Sequence, residues 1–311
     1  MKKARKEIPN PNAQTPSVNE HLPPSTFHLP LIFSQLFGMI RYEFLLQLRR
    51  PGLLSVVGGL IGIPLLSLLI GRSQFSELSA AVAAGGLSPE SARAIITNQA
   101  VLGSWLYAWL MCNILLPVVV ADTLPKDKHL GVRELLESLP LTPGTYLAGK
   151  MLSVWVSLLA GVGLAALIGS VVWWGLAGPF SLGIYFEVWS VGVASMALIN
   201  SGLGVLLAAG QPTNRRAIFV GVAFAILSLA LFGPGMILHG TNWNLLNPSH
   251  PELGMYYFFG WPGAGAGDPL SLRATALASR SAALRDIAAG AAEVAVAWIV
   301  VWAWLRQGND K

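Results

Sequence analysis

The sequence predicts an all-α membrane protein with six transmembrane helices, an N-terminal amphipathic interfacial helix and a short cytosolic helix between spans two and three. Hydrophobic residues make up 54% of the 311 residues and charged residues only 11%, whereas a soluble domain carries about 25% charged residues. Six stretches are apolar over about 20 residues, the length that a helix needs to cross a bilayer. Long unbroken apolar runs exclude a transmembrane barrel, whose strands are short and alternate in polarity.

The N-terminal residues 1–29 are polar and Pro-rich, with four basic residues among the first six. They predict a flexible cytosolic tail, because neither the apolar core nor the cleavage site of a signal peptide follows them directly. The transmembrane domain is predicted to occupy residues 30–311.

The segment 31–50 predicts a helix that lies in the cytosolic interface of the membrane. One helical face is apolar and contains Phe33, Phe37, Ile40, Phe44 and Leu48. Another face contains Ser34, Gly38, Arg41 and Arg49. The alternative is a seventh span, which Arg41 and Glu43 argue against. Pro51-Gly52 is expected to end this helix before the first span begins.

The six predicted spans are 53–70, 100–121, 151–176, 184–209, 217–238 and 287–305. Basic residues predict their orientation, because cytosolic loops are enriched in Lys and Arg. Fifteen of the 20 basic residues lie in one set of flanking segments, which are 1–52, 122–150, 210–216 and 306–311. We therefore expect a multi-pass protein of the plasma (inner) membrane with both termini in the cytosol and the 239–286 loop outside.

Small residues recur at four-residue spacing in three of the spans and predict close helix packing. They are Gly58 and Gly62 in the first span, Gly161, Ala165 and Gly169 in the third, and Ala217, Gly221 and Ala225 in the fifth.

Catalytic, cofactor and metal motifs are not found in the sequence. The stretch from Gly144 to Lys150 matches a phosphate-binding loop up to Met151, which stands where such a loop needs Ser or Thr. His250 and Glu252 lie in the outer loop near Asp268, where a solvated loop is a simpler interpretation than a metal site. Because the basic residues flank apolar spans, the net charge of +5 is better explained by a membrane than by a nucleic acid.

Polar residues inside predicted spans are candidates for function. Glu293 is the strongest, since its helical neighbours Ala289 and Ala297 form a small-residue seam. It is interpreted either as a group lining a substrate path or responding to protons, or as a carboxyl bonded to a neighbouring helix. Asn113 and Asn200 are most simply interhelical hydrogen-bonding residues.

The segment 122–150 predicts a short amphipathic helix between spans two and three. Its apolar stripe consists of Val132, Leu135, Leu136 and Leu139, and mixed charges surround it. Pro140 and Pro143 end the helix before the third span. Such a stripe needs a surface to cover it, either the membrane or a cytosolic partner.

This segment resembles the type-2 ATP-binding-cassette (ABC-2) exporter permeases. The residues that resemble the family read Gly-Val-Arg-Glu-Leu-Leu-Glu-Ser-Leu-Pro-Leu from Gly131, followed by Tyr-Leu-Ala-Gly-Lys up to Lys150. The family has Gly-Thr-x-Glu-x-Leu-Leu-x-x-Pro at this place, so Val132 departs from it. Arg-Tyr-Glu-Phe from Arg41, with the following Leu-Arg-Arg-Pro, also resembles the connecting helix of the family.

The resemblance implies a permease subunit for ATP-driven export, with no ATPase site of its own. ATP and magnesium are expected on a separate cassette ATPase, and the permease is expected to pair with an identical or different second half. The implied ATPase-coupling surface contains Gly131, Arg133, Glu134, Leu135, Leu136, Glu137 and Pro140, and Lys150 also matches the family. The outer loop is expected to carry short re-entrant helices, with its aromatic residues (Trp243, Tyr256, Tyr257, Phe258, Phe259 and Trp261) at the membrane interface. The alternatives are an ion-gradient-driven secondary transporter, a membrane enzyme and a non-transporting scaffold.

Overall fold

The predicted all-α class is confirmed by the computed structural model. It describes residues 29–49, 51–70, 72–129, 142–238, 240–257 and 279–308, and in these ranges helix is the regular secondary structure throughout. The expected tail at 1–29 lies outside the described residues except for Leu29.

Five helices are long and apolar enough to cross a membrane. The first of these runs from Pro89 to Asp127 and comprises α4 (Pro89–Leu110), a π-helical turn (Met111–Leu115), α5 (Leu116–Val120) and the start of α6 (Thr123–His129). It is followed by α7 (Pro143–Ala177), and then by α8 (Leu182–Glu187) joined through a second π turn (Val188–Val193) to α9 (Ala194–Ala208). The last two are α10 (Asn214–Ile237) and α12 (Arg280–Gly308). They coincide with predicted spans two to six, and they give the chain the character of a membrane protein.

The N-terminal region forms α1 (Leu29–Leu48), α2 (Pro51–Ile70) and α3 (Arg72–Ala83). Segments of α1 and α2 satisfy the length and hydropathy criteria for a span only as a pair, which bends by 71° at Pro51. Proline favours the first position of a helix, so Pro51 begins α2 rather than extending α1. The six-span count therefore stays a prediction. Helix α3 lies between the first two predicted spans, in a polar segment for which the sequence pattern predicts no helix.

Several helices begin before the apolar spans predicted for them, because a capped polar turn precedes the apolar run. The Ser88, Thr142 and Thr213 side chains accept a hydrogen bond from the backbone N–H three residues later. This is the usual N-cap arrangement, in which a short hydroxyl side chain satisfies one of the free N–H groups of the first turn.

The bundle core is built by close helix contacts at small residues. A Cβ on Gly221 of α10 would lie 2.8 Å from the Pro117 carbonyl oxygen, and one on Gly204 of α9 would lie 2.9 Å from Pro117 Cα. The small-residue prediction is thus confirmed for Gly221 and also for Gly161, which faces Val57. For Gly58 and Gly62 it is not met within the described part of the chain, where no atom lies within 4 Å of a Cβ at either position. Outside the core, large apolar side chains such as Phe219 (72% exposed) and Val171 (71% exposed) cover α10 and α7.

The two ends of the bundle differ in what covers them. The first, which we call the connection end, is where α6 ends and α7 begins. Helix α1 packs against α7 there. At the other, the loop end, the 3-10 helix Asn242–Leu246 and α11 (Pro251–Met255) pack on the start of α12. Helix α12 extends from the loop end to the connection end. Its Asp286 contacts His250 at the loop end, and its Trp302 packs over Gly144 at the connection end. These residues are about 24 Å apart along a helix.

Candidate functional site

The residues of the implied coupling surface lie outside the described part of the chain. They are Gly131, Arg133, Glu134, Leu135, Leu136, Glu137 and Pro140, in the gap at 130–141. Their role stays a prediction. Both flanks of the gap are described, since α6 reaches His129 and α7 begins at Pro143.

A buried group of charged side chains joins these flanks to α1. Lys150 Nζ lies 2.5 Å from Glu43 Oε1 on α1 and 2.5 Å from Asp127 Oδ2 on α6. The Tyr146 hydroxyl donates a 2.7 Å hydrogen bond to the same Asp127 oxygen. We call Glu43, Asp127, Tyr146 and Lys150 the ion cluster.

Local structure explains how these side chains meet. Tyr146 and Lys150 are four residues apart on α7 and therefore share one face of that helix. Gly149, between them, lets α1 approach, because a Cβ there would lie 2.6 Å from Met39 Sδ. This close packing brings Glu43, one turn after Met39, over Lys150.

The electrostatics of the ion cluster depend on Lys150. Lys150 is fully buried, and Glu43 and Asp127 are 3% and 5% exposed. Loss of Lys150 is costly, since the two buried carboxylates would then have neither water nor a cation beside them. Glu43 Oε2 and Gln47 Nε2, one turn apart, have no hydrogen-bond partner among the described residues. The cluster therefore fixes three helices in one arrangement around Lys150.

The family resemblance points to Lys150, but no pattern in the sequence identifies its partners. Glu43 is 107 residues away along the chain. A signal was present: Lys150 stands at the start of a long apolar run, where a cation requires an acidic partner. The spacing could not show which of the acidic residues supply it.

In the bundle interior, the structure brings Asn113 and Asn200 together. Both are fully buried, and Asn200 Nδ2 lies 3.4 Å from Asn113 Oδ1. Asn113 Nδ2 also donates to the Trp109 carbonyl at 3.1 Å and lies 3.0 Å from Met196 Sδ. These contacts join two helices, as the hydrogen-bonding interpretation expects. A role in a substrate path stays a prediction.

At the loop end, the solvated-loop interpretation of His250 and Glu252 is wrong. His250 is 1% exposed and Glu252 is 5% exposed, because the segment packs against α12. Asp268 lies outside the described residues. Within the described ranges, no group of three or more His, Cys, Asp or Glu side chains is placed to hold a metal ion. Glu293 is half-buried on α12, in electrostatic range of His250 and Asp286.

The aromatic residues of the loop end divide into two groups. Trp243 is 75% exposed, whereas Tyr256 and Tyr257 are buried in the protein. The ring centroids of Tyr257 and Trp105 lie 4.9 Å apart. The Tyr257 ring also packs over Gly192, where a Cβ would lie 2.9 Å from Tyr257 Cε2. Burial raises the pKa of the Tyr257 hydroxyl, and the nearby carboxylate of Glu187 raises it further. Phe258, Phe259 and Trp261 are outside the described residues.

Neither protein-family models nor curated proteins give a match to this chain.

Proposed function

We propose that this chain is the permease subunit of an ABC transporter, forming the substrate pathway for ATP-driven export while a separate cassette subunit hydrolyses ATP. The observation that supports the proposal is the ion cluster. It fixes both flanks of segment 130–141 to α1 through Lys150, and this is the segment whose residues resemble the coupling region of ABC-2 permeases.

The ion cluster makes this region suited to transmitting force. Because Asp127 precedes the gap and Lys150 follows it, a displacement of segment 130–141 moves α6, α7 and α1 together. Helices α1 and α7 both pack on α2, so the displacement reaches the membrane-embedded bundle. ATP supplies the bias by binding more tightly to one arrangement of the two ATPases than to the other. The seam between two permease halves then opens outward.

The exposed face of α1 fits a helix at the cytosolic membrane surface. Phe37 and Tyr42 are 70% and 61% exposed, and the exposed Arg41 lies beside them. Apolar and basic side chains on one face insert between acyl chains and pair with anionic headgroups. In this orientation the connection end and both termini are cytosolic, and the protein belongs to the plasma (inner) membrane.

A second candidate is a transporter driven by an ion gradient. It is favoured by the grouping of His250, Asp286 and Glu293 at the loop end, since ionisable groups that face a bundle interior are typical of such transporters. No described feature favours a scaffold.

Co-purification tests the proposal. The tagged chain is extracted gently from its native membrane, and its partners are identified by mass spectrometry. We expect a stoichiometric protein with an intact Walker loop and cassette signature. Glu134→Arg and Leu135→Asp should each reduce its recovery, while membrane insertion stays intact.

The matched control is Glu77→Arg, the same charge reversal on an exposed residue of α3, which should leave recovery unchanged. If no cassette ATPase is recovered with any variant, the permease proposal is wrong. Loss of transport in vesicles on collapse of the proton gradient, with ATP present, would then favour the ion-driven alternative.

A further inference from the structure

At the loop end, His250 adopts a strained backbone conformation with its side chain buried. Its φ of 47° and ψ of 61° are left-handed, and in the described residues it is the only non-glycine position with positive φ. The backbone strain of an L-residue in this region persists only where the surroundings impose it. The contacts of the imidazole ring show what imposes it here.

The imidazole ring packs on α12 at Gly290, where any larger residue would collide with it. We call this position on α12 the seat of His250. A Cβ on Gly290 would lie 2.6 Å from His250 Cε1 and 2.7 Å from Ile199 Cδ1. Asp286 and Glu293 lie four residues before and three residues after Gly290, so all three share one face of the helix. The ring therefore lies over Gly290, on the face that carries both carboxyl groups.

Asp286 joins this ring to the start of α11. Its Oδ1 lies 3.2 Å from His250 Nδ1, and its Oδ2 accepts a 3.0 Å hydrogen bond from the Leu253 backbone N–H. His250 Nε2 is buried and has no hydrogen-bond partner among the described residues. One nitrogen of the imidazole is thus satisfied, and the other is available to a proton.

Among the described residues, the charges that face the ring are negative. Helix α12 contributes Asp286 and Glu293, and α9 contributes the apolar Ile199. On α11, Glu252 is engaged elsewhere, since its Oε1 accepts from Gly240 N and Asn244 Nδ2. Of the nearby cations in the described ranges, Arg285 is exposed, and Arg280 pairs with Glu187 at 3.4 Å. A neutral His250 would leave the buried carboxylate of Asp286 without a balancing charge, which is unfavourable in a protein interior.

We propose that the seat of His250 on α12 is a proton-binding site, and that the bound proton keeps segment 240–257 packed against α12. A proton from bulk water binds the Nε2 lone pair and makes the ring a cation between two carboxyl groups. When the proton returns to water, the attraction between the ring and the carboxyl groups is lost, and the strained turn at His250 favours release of the segment. Histidine is suited to this because it changes charge between about pH 5 and pH 8. The inference goes beyond the proposed function and does not depend on what drives transport.

Pulsed electron spin resonance on the full chain in lipid nanodiscs tests the site. Spin labels are attached to Leu246→Cys and Leu284→Cys, both exposed, in a Cys112→Ala background. Distances are measured at about pH 5.5 and about pH 8, on either side of the histidine range. We expect one short distance at the lower pH and a several-fold larger population of long distances at the higher pH.

Two variants identify the group responsible. His250→Gln keeps a donor for Asp286 but cannot become a cation, so its distances should not change with pH. Glu293→Gln should reduce the pH response, whereas Glu90→Gln, on an exposed carboxyl of α4, should leave it unchanged. Identical distances at both pH values without these substitutions, or an unchanged response in His250→Gln, would overturn the proposal. If His250→Gln fails to fold, Glu293→Gln decides, and an undiminished response there overturns it.

Discussion

The two ends of the bundle bury acidic side chains in different ways. At the connection end, Glu43 and Asp127 share the ammonium group of Lys150, each at 2.5 Å. At the loop end, Asp286 and Glu293 face an imidazole ring, and the nearby Arg280 pairs with Glu187 instead. The connection end therefore holds a permanent cation beside its carboxylates, whereas the described part of the loop end gains one only when His250 binds a proton. We infer that the first is a permanent junction and the second a conditional one.

Removing the cation of the ion cluster tests the permanent junction and should give the largest effect. Lys150→Met leaves two buried carboxylates without a cation, and breaking a buried ion pair in this way costs about 3–5 kcal/mol. We expect a strong fall in the thermal unfolding midpoint in detergent. The control Arg215→Met removes an exposed cation of α10 and should have little effect.

A triple variant separates loss of charge balance from loss of packing. Lys150→Met combined with Glu43→Gln and Asp127→Asn removes all three charges, and neutral replacement of a buried ion group is often nearly neutral in stability. Recovery of most of the lost midpoint would support an electrostatic cause. A triple variant as unstable as Lys150→Met alone would show that the side-chain packing, and not the charge, stabilises this end.

How far the sequence could predict these two ends depends on the range of the interactions. The helices themselves follow from apolar runs and from local caps such as Thr142, which act within a few residues. The ion cluster does not, because Glu43 reaches Lys150 only after α1 folds back onto α7. His250 was expected in a solvated loop because its neighbours are polar, and its burial depends on a glycine 40 residues later in the sequence. Packing across the bundle, rather than local pattern, determines both sites.

Placing a methyl group on Gly290, under the His250 ring, tests the packing of the loop end and should give an intermediate effect. In Gly290→Ala, the new methyl group would lie 2.6 Å from His250 Cε1 and 2.7 Å from Ile199 Cδ1. Such overpacking costs about 1–3 kcal/mol, partly offset by the higher helix propensity of alanine. We expect a lower unfolding midpoint and a larger released population of segment 240–257 at all pH values.

The matched control is Gly163→Ala on α7, where no atom of the described residues lies within 4 Å of the new methyl group. It should be neutral or slightly stabilising, since alanine is the better helix former. An unfolding midpoint for Gly290→Ala equal to that of Gly163→Ala would mean that His250 does not need this seat.

Tyr257 offers a separate test of the loop end. It is a second titratable group in segment 240–257, and it ionises in a different pH range from histidine. Its pKa is raised in the folded protein, first by burial and then by Glu187. In the unfolded chain a tyrosine ionises near pH 10. The Tyr257 hydroxyl therefore keeps its proton in the folded state at pH values at which it is already ionised in the unfolded chain. The resulting stabilisation is complete below about pH 10 and decreases as the pH rises toward the folded-state pKa.

Tyr257→Phe should consequently have the smallest effect, and only in alkaline solution. Phenylalanine keeps the ring contact with Trp105 but cannot ionise, so the unfolding midpoint should match the unsubstituted protein at about pH 8 and exceed it slightly above about pH 10. The control Tyr42→Phe, at an exposed position, should show no such difference. If Tyr257→Phe instead altered the response between about pH 5.5 and pH 8, the range assigned to histidine, the loop end would be controlled by its packing against Trp105 and not by the charge on His250.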